Sequence, residues 1–127
     1  MSEELVSEWV DKAEEDYKTV EELCSKSLSE FANTICFHSQ QCAEKYLKAL
    51  LVKCGIEPPW IHELESLLDL LASKIPEIEK NRGMLAQLSP YATEYRYPGK
   101  TAKEEEADTC IKIIRKLRNN VRAILGS

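Results

Sequence analysis

Glycine and proline are scarce, four and five among 127 residues. A β-sandwich or barrel needs many tight turns, so the shortage argues against one. No apolar run approaches the ~20 residues a membrane-spanning helix needs. The opening MSEELVSEWV is acidic and lacks a signal-peptide pattern, so no membrane partner is expected. The five cysteines, Cys24, Cys36, Cys42, Cys54 and Cys110, are odd in number and contain no C-x-x-C pair. Neither a metal site nor a disulfide framework is expected from them, and a reducing cytoplasm is their natural compartment. Also missing are a Gly-rich phosphate loop, paired catalytic carboxylates, a Ser-His-Asp set and a Cys-His nucleophile. No cofactor is expected.

What remains is a helical vocabulary of Leu, Glu, Lys and Ala, with 43% hydrophobic residues to build a core. The length suits one domain over residues 1–127. Such a chain buries about two-thirds of its unfolded surface and needs no covalent staple. The net charge is −5. An acidic chain is repelled by polyphosphate, which argues against a nucleic-acid partner. The charge is uneven, however. From Thr109 onward there are Lys112, Arg115, Lys116, Arg118 and Arg122 and no carboxylate. Acids at the start of that segment's helix and cations at its end suit the helix macrodipole, with docking of a partner or nucleic acid as the alternative.

Apolar spacing predicts a first helix from about Ser2 to Ser27, with Leu5, Trp9, Ala13, Tyr17, Val20 and Cys24 on one arc. Ser29 is a fair N-cap for a second helix ending at Cys54, where Gly55 supplies the C′ residue. Pro58-Pro59 marks a loop. A third helix is expected over His62–Ser73, and a shorter fourth begins at Pro76, interruptible at Gly83. The aromatic stretch from Tyr91 to Gly99 reads as a loop. Thr101-Ala-Lys-Glu104 reads as a capping box opening the last helix, which Gly126 ends. The expected fold is all-α, an up-and-down bundle of four to five helices. The cysteines fall on apolar arcs as small buried hydrophobes.

Several polar residues stand out against this pattern. Gln41, Glu44, Lys45 and Lys48 occupy positions i, i+3, i+4 and i+7 of the second helix and form one polar face opposite the apolar stripe. That face is either solvated, with Glu44 and Lys48 in the favourable i, i+4 order, or a binding surface. Phe37 shares it and suggests that something covers it. Asp16 lies inside the apolar arc of the first helix. A carboxylate there needs a partner, Lys45 or Arg96, either as a structural ion pair or as an orienter of a binding-site cation. His62 at the start of the third helix is read either as a cap for free N–H groups or as a ligand contact. His38 is read as structural or exposed. Arg96 with Tyr91, Tyr95 and Tyr97 invites base stacking, or the tyrosines simply plug the bundle end.

Four segments carry a resemblance. Trp9-x-x-x-Ala13-x-x-Asp16, Phe37-x-x-Gln40-Gln41-x-Ala43-Glu44-Lys45-x-x-Lys48-Ala49-Leu50-Leu51, Pro59-x-x-His62-x-Leu64-x-x-Leu67 and Arg96-Tyr97-Pro98 occur in that order. Together they resemble the HEPN family (higher eukaryotes and prokaryotes nucleotide-binding), over nearly the whole chain. The resemblance implies a helical bundle that pairs as a homodimer, and a partnership with a minimal nucleotidyltransferase in toxin–antitoxin-like pairs. It implies a nucleotide-binding site at Lys45, Lys48, His62, Arg96 and Tyr97, supported by Asp16, Gln41 and Glu44. Lys45 and Arg96 would contact the phosphates.

Ribonuclease branches of the family carry Arg, four to six residues, then His. Here the only histidines are His38 and His62, and the first arginine is Arg82. Every arginine follows both histidines, so the pair cannot occur within this chain. The expectation is therefore a non-catalytic module binding a nucleotide, a nucleotidyltransferase, or both. The alternatives are a ligand-free interaction bundle and a divergent metal-independent ribonuclease.

Overall fold

The structure, a computed structural model, describes residues 2–126. Five α-helices follow one another: α1 (Ser2–Lys26), α2 (Ala32–Lys53), α3 (Leu64–Leu71), α4 (Arg82–Leu88) and α5 (Glu104–Leu125). Short 3-10 turns cover Pro76–Asn81, Ser89–Ala92 and Glu94–Arg96, and there is no strand among the described residues. No helix among them is long and apolar enough to cross a membrane.

The long helices α1, α2 and α5 form the frame. Glu14 on α1 meets Tyr46 on α2, while Asp16 meets His38, so α1 and α2 run antiparallel. Glu21 pairs with Arg115 and Glu14 with Arg118, so α1 and α5 also run antiparallel. It follows that α2 and α5 run in the same direction. The short α3 and α4 occupy the return path between them. One core joins all five helices, with Ile35, Tyr46, Leu47, Leu50, Leu51, Leu64, Leu68, Leu85, Ile114 and Leu117 fully buried.

Helix boundaries depart from the sequence expectation at several points, each for a local reason. The second helix starts at Ala32 rather than at a Ser29 cap, because Ser27 claims the turn: its Oγ accepts from Glu30 N–H at 3.1 Å. Its end falls as expected. Gly55 adopts φ +77°, a left-handed conformation, and lets Ile56 N–H reach back to the Leu51 carbonyl at 2.9 Å. The third helix starts at Leu64, so His62 precedes it and caps nothing. Leu64 N–H is met by Ser89 Oγ at 3.2 Å. The segment from Pro76 divides at Asn81, before Gly83. The buried Asn81 side chain donates to the Ile78 carbonyl and accepts from Asn120 on α5. The last helix begins at Glu104 with Lys103 as its cap residue. Glu106 accepts from Lys103 N–H at 2.9 Å, so Thr101 does not form the box.

Candidate functional site

Helix α2 is the structural axis of the candidate site, and it is covered on nearly every side. Fifteen of its 22 residues are buried, among them Gln40, Glu44 and Lys48. Of the two readings of the polar face, the solvated one is corrected for Glu44 and Lys48, which α1 and the loop before α3 cover, while Gln41 and Lys45 are half-buried. An ionised pair taken out of water must find its hydrogen bonds inside the protein, and two clusters along α2 supply them.

In the first cluster the Asp16 carboxylate, 7% exposed, accepts from Lys45 Nζ at 2.6 Å and from His38 Nδ1 at 2.8 Å. A carboxylate can only accept here, so His38 carries its proton on Nδ1. Burial pushes the Asp16 carboxyl up, but the hydrogen bonds from His38 and Lys45 outweigh it and hold the group below its ordinary value. Of the two partners the sequence offered for Asp16, Lys45 is the one present and Arg96 is not. His38, expected to be structural or exposed, is structural, and its partnership with Asp16 is what the sequence did not foretell. It sits seven residues, about two turns, before Lys45 on the same helix face, and that spacing was the available signal.

In the second cluster Glu44 is shared three ways. Lys48 Nζ lies 3.0 Å from one oxygen, and His62 Nδ1 lies 3.1 Å from both. Gln40 Nε2 approaches Glu44 at 3.4 Å and donates to the His62 carbonyl at 3.2 Å, which ties the loop before α3 to α2. Gln41 donates to Gln40 Oε1 at 2.8 Å. The Lys48 ammonium also lies 5.5 Å from the Trp9 ring centre on α1, a cation–π contact. Lys45 and Lys48 are therefore both engaged by carboxylates.

Arg96 and Tyr97 stand apart from both clusters. Among the described residues no carboxylate lies within ion-pair distance of Arg96. Its guanidinium instead covers the Phe37 ring at 5.0 Å. Phe37 is consequently half-buried rather than exposed, and what covers it is this arginine, together with the edge of His38 at 5.3 Å. Arg96 and Phe37 line a cleft of about 340 Å³ with Asn33, Thr34, Tyr91 and Tyr95. Tyr91 is buried, its hydroxyl donating to Glu106 at 2.5 Å, while Tyr97 is exposed. Burial and the Glu106 bond both raise the Tyr91 pKa. Tyr91 therefore does plug the bundle end, while Arg96 and Tyr97 remain at the surface.

Four of the five cations of α5 are committed as well. Arg118 grips Glu14 with two bonds of 2.8 Å, and Arg115 grips Glu21 with bonds of 2.9 and 2.8 Å. Arg122 reaches Glu14 at 3.7 Å, and Lys112 pairs with Asp108 at 2.8 Å. Arg115, Arg118 and Arg122 strap α5 to α1, each meeting a carboxylate of the facing helix. Macrodipole alignment accounts for only part of their placement.

Comparison with known proteins places the fold. The model of the HEPN domain family matches residues 6–124. Two solved structures superpose over nearly the whole chain. The crystal structure of TT1696 from Thermus thermophilus shares 21% identity at a TM-score of 0.78, over 93% of this chain and 96% of that one, a likeness of fold. ST0689, an archaeal HEPN homologue, shares 28% identity at a TM-score of 0.74, over 93% and 95% of the two chains. No curated protein matches.

Proposed function

The chain belongs to the HEPN domain family, and on that premise we propose that it is a non-catalytic module that binds a nucleotide at the Arg96 cleft. In this reading it works with a minimal nucleotidyltransferase as one half of a two-protein, toxin–antitoxin-like system.

The observation that carries the nucleotide reading is the state of Arg96. It is a guanidinium without a carboxylate, held over Phe37 at 5.0 Å beside a cleft. Packing against the ring orients the guanidinium and leaves its N–H edge free to grip two phosphate oxygens in parallel. Lys45 and Lys48 are occupied by Asp16 and Glu44, so their role, with His62 and Gln41, is to fix α2 against α1 and the loop before α3. Tyr97, exposed beside Arg96, is the free ring on which a base can lie. The order of histidines and arginines in the chain supports the non-catalytic part of the reading. The test is calorimetry with AMP, ATP and GTP on wild type and on Arg96→Lys. Wild type should bind, and the lysine variant should bind more weakly although charge is conserved. No heat from any nucleotide at millimolar concentration would end the reading.

A second reading, a ligand-free interaction bundle that pairs as a homodimer, is favoured by Trp60. This indole stands 96% exposed in the loop after α2. An aromatic this open is costly to leave in water and suited to a partner surface. A clean monomer in light scattering at micromolar concentration would remove the homodimer.

A further inference from the structure

We infer that the Arg96 cleft recognises one phosphate monoester and disregards the base, so that its ligands are 5′-nucleoside monophosphates as a class rather than triphosphates. This inference rests on the nucleotide-binding reading above and sharpens it.

The cleft carries a single positive charge. Of the residues lining it, Arg96 alone is cationic. The nearest further cation in sequence, Lys100, is tied to Glu94 at 2.9 Å and lies over Tyr95 at 5.1 Å. Lys45 is held by Asp16. One guanidinium matches one phosphate group. A triphosphate would bring its additional negative charge against an acidic protein of net charge −5 with no second cation lining the cleft to meet it.

The remaining polar lining comes from Asn33 and Thr34. Asn33 Oδ1 accepts from Ala102 N–H at 2.6 Å, which leaves the Asn33 amide donors for a ligand. Thr34 adds an exposed hydroxyl. The cleft thus presents donors from Arg96, Asn33 and Thr34, a set that suits the acceptor-rich phosphate. Reading a base edge requires donors and acceptors together in a fixed pattern, whereas of these three groups only the Thr34 hydroxyl can also accept.

Each ring lining the cleft is already engaged: Phe37 by Arg96, Tyr95 by Lys100 and by Tyr91 at 4.5 Å. The faces open for a base to lie on are therefore at the margin of the cleft, the Tyr97 ring and the outer face of Arg96. Stacking of that kind tolerates any base, because every base has a π-face.

The experiment is calorimetry of the full chain with AMP, GMP, CMP, ribose 5-phosphate, adenosine and ATP. Affinities for AMP, GMP and CMP should agree within about threefold, since stacking varies little among them. Ribose 5-phosphate should still bind, adenosine should not, and ATP should bind no more tightly than AMP. Arg96→Lys should weaken all phosphate ligands by about tenfold, the scale of one lost charge-assisted bond. Thr34→Val, at an exposed position, should weaken them less and leave melting unchanged. A preference above about tenfold for one base, or ATP binding more tightly than AMP through Arg96, would overturn the inference and leave the nucleotide reading standing. Absence of binding by every phosphate ligand would instead defeat the nucleotide reading itself, and the inference with it.

Discussion

Replacing Asp16 with asparagine tests the reasoning about α2 most directly. The substitution keeps the shape and removes the charge that faces Lys45 at 2.6 Å and His38 at 2.8 Å. Breaking one side of a fully buried pair costs ~3–5 kcal/mol. Here the partners are not fully buried: the Lys45 and His38 side chains keep 25% and 29% of their surface. Water can therefore solvate part of what is stranded, and a cost of ~2–3 kcal/mol is the better figure. For a domain of this size that corresponds to a melting temperature lower by roughly 6–12 °C. The pH dependence has a definite sign. The folded-state pKa of Asp16 is depressed, so its contribution is complete above the unfolded value of about 3.9. It is lost as pH falls through the lower folded value. Wild type and Asp16→Asn should thus differ most at neutral pH and converge in acid. A double-mutant cycle with Lys45→Met should show a coupling of ~1 kcal/mol or more. Melting of Asp16→Asn within about 2 °C of wild type at pH 7, or no coupling to Lys45, would refute this account.

Other consequences can be checked independently. The hydrogen bonds from Arg115, helped by Tyr17, hold the Glu21 carboxyl down to about 2 against the opposing effect of burial. Carboxyl NMR should follow it titrating there, with its share of stability intact above about pH 4.3 and fading toward the lower value; a midpoint near 4 would contradict the α1–α5 strap. Burial raises the Cys42 thiol well above its ordinary value, and Cys36 and Cys110 are also buried, so a thiol reagent should label the half-buried Cys24 and Cys54 first. Fast labelling of Cys42 in the native protein would show the core to be open. Trp60→Ala should shift stability by less than about 0.5 kcal/mol, because the indole touches little. A large drop in melting temperature would mean that Trp60 is covered in solution, and a loss of dimer in light scattering would identify what covers it.

The all-helical architecture and its long elements were legible in the sequence, because amphipathic period and helix-stopping residues act locally. Gly55 ends α2 by its own backbone freedom, and the apolar arc of α1 needs no knowledge of what it packs against. The need of Asp16 for a cationic partner was equally legible, since a carboxylate among Leu5, Trp9 and Leu23 has no local solution. Which cation answers it was not: the sequence offers Lys45 and Arg96 alike, and only the antiparallel placement of α1 on α2 selects Lys45 and adds His38. The polar face of α2 misled for the same reason. Gln41, Glu44, Lys45 and Lys48 have the spacing of a solvated stripe, but a central helix is covered on nearly every side, and the loop carrying His62 folds back over Glu44. The starts of α2, α3 and α5 moved because their capping partners, Ser27, Ser89 and Glu106, compete with residues that look as suitable in one dimension. Arg96 was visible as a motif residue. That it escapes a carboxylate, while Arg115, Arg118 and Arg122 of α5 are consumed by Glu14 and Glu21, is a matter of which side chains meet in space. The pairing of charges across helices belongs to tertiary structure, because Coulomb energy depends on distance through space and not along the chain.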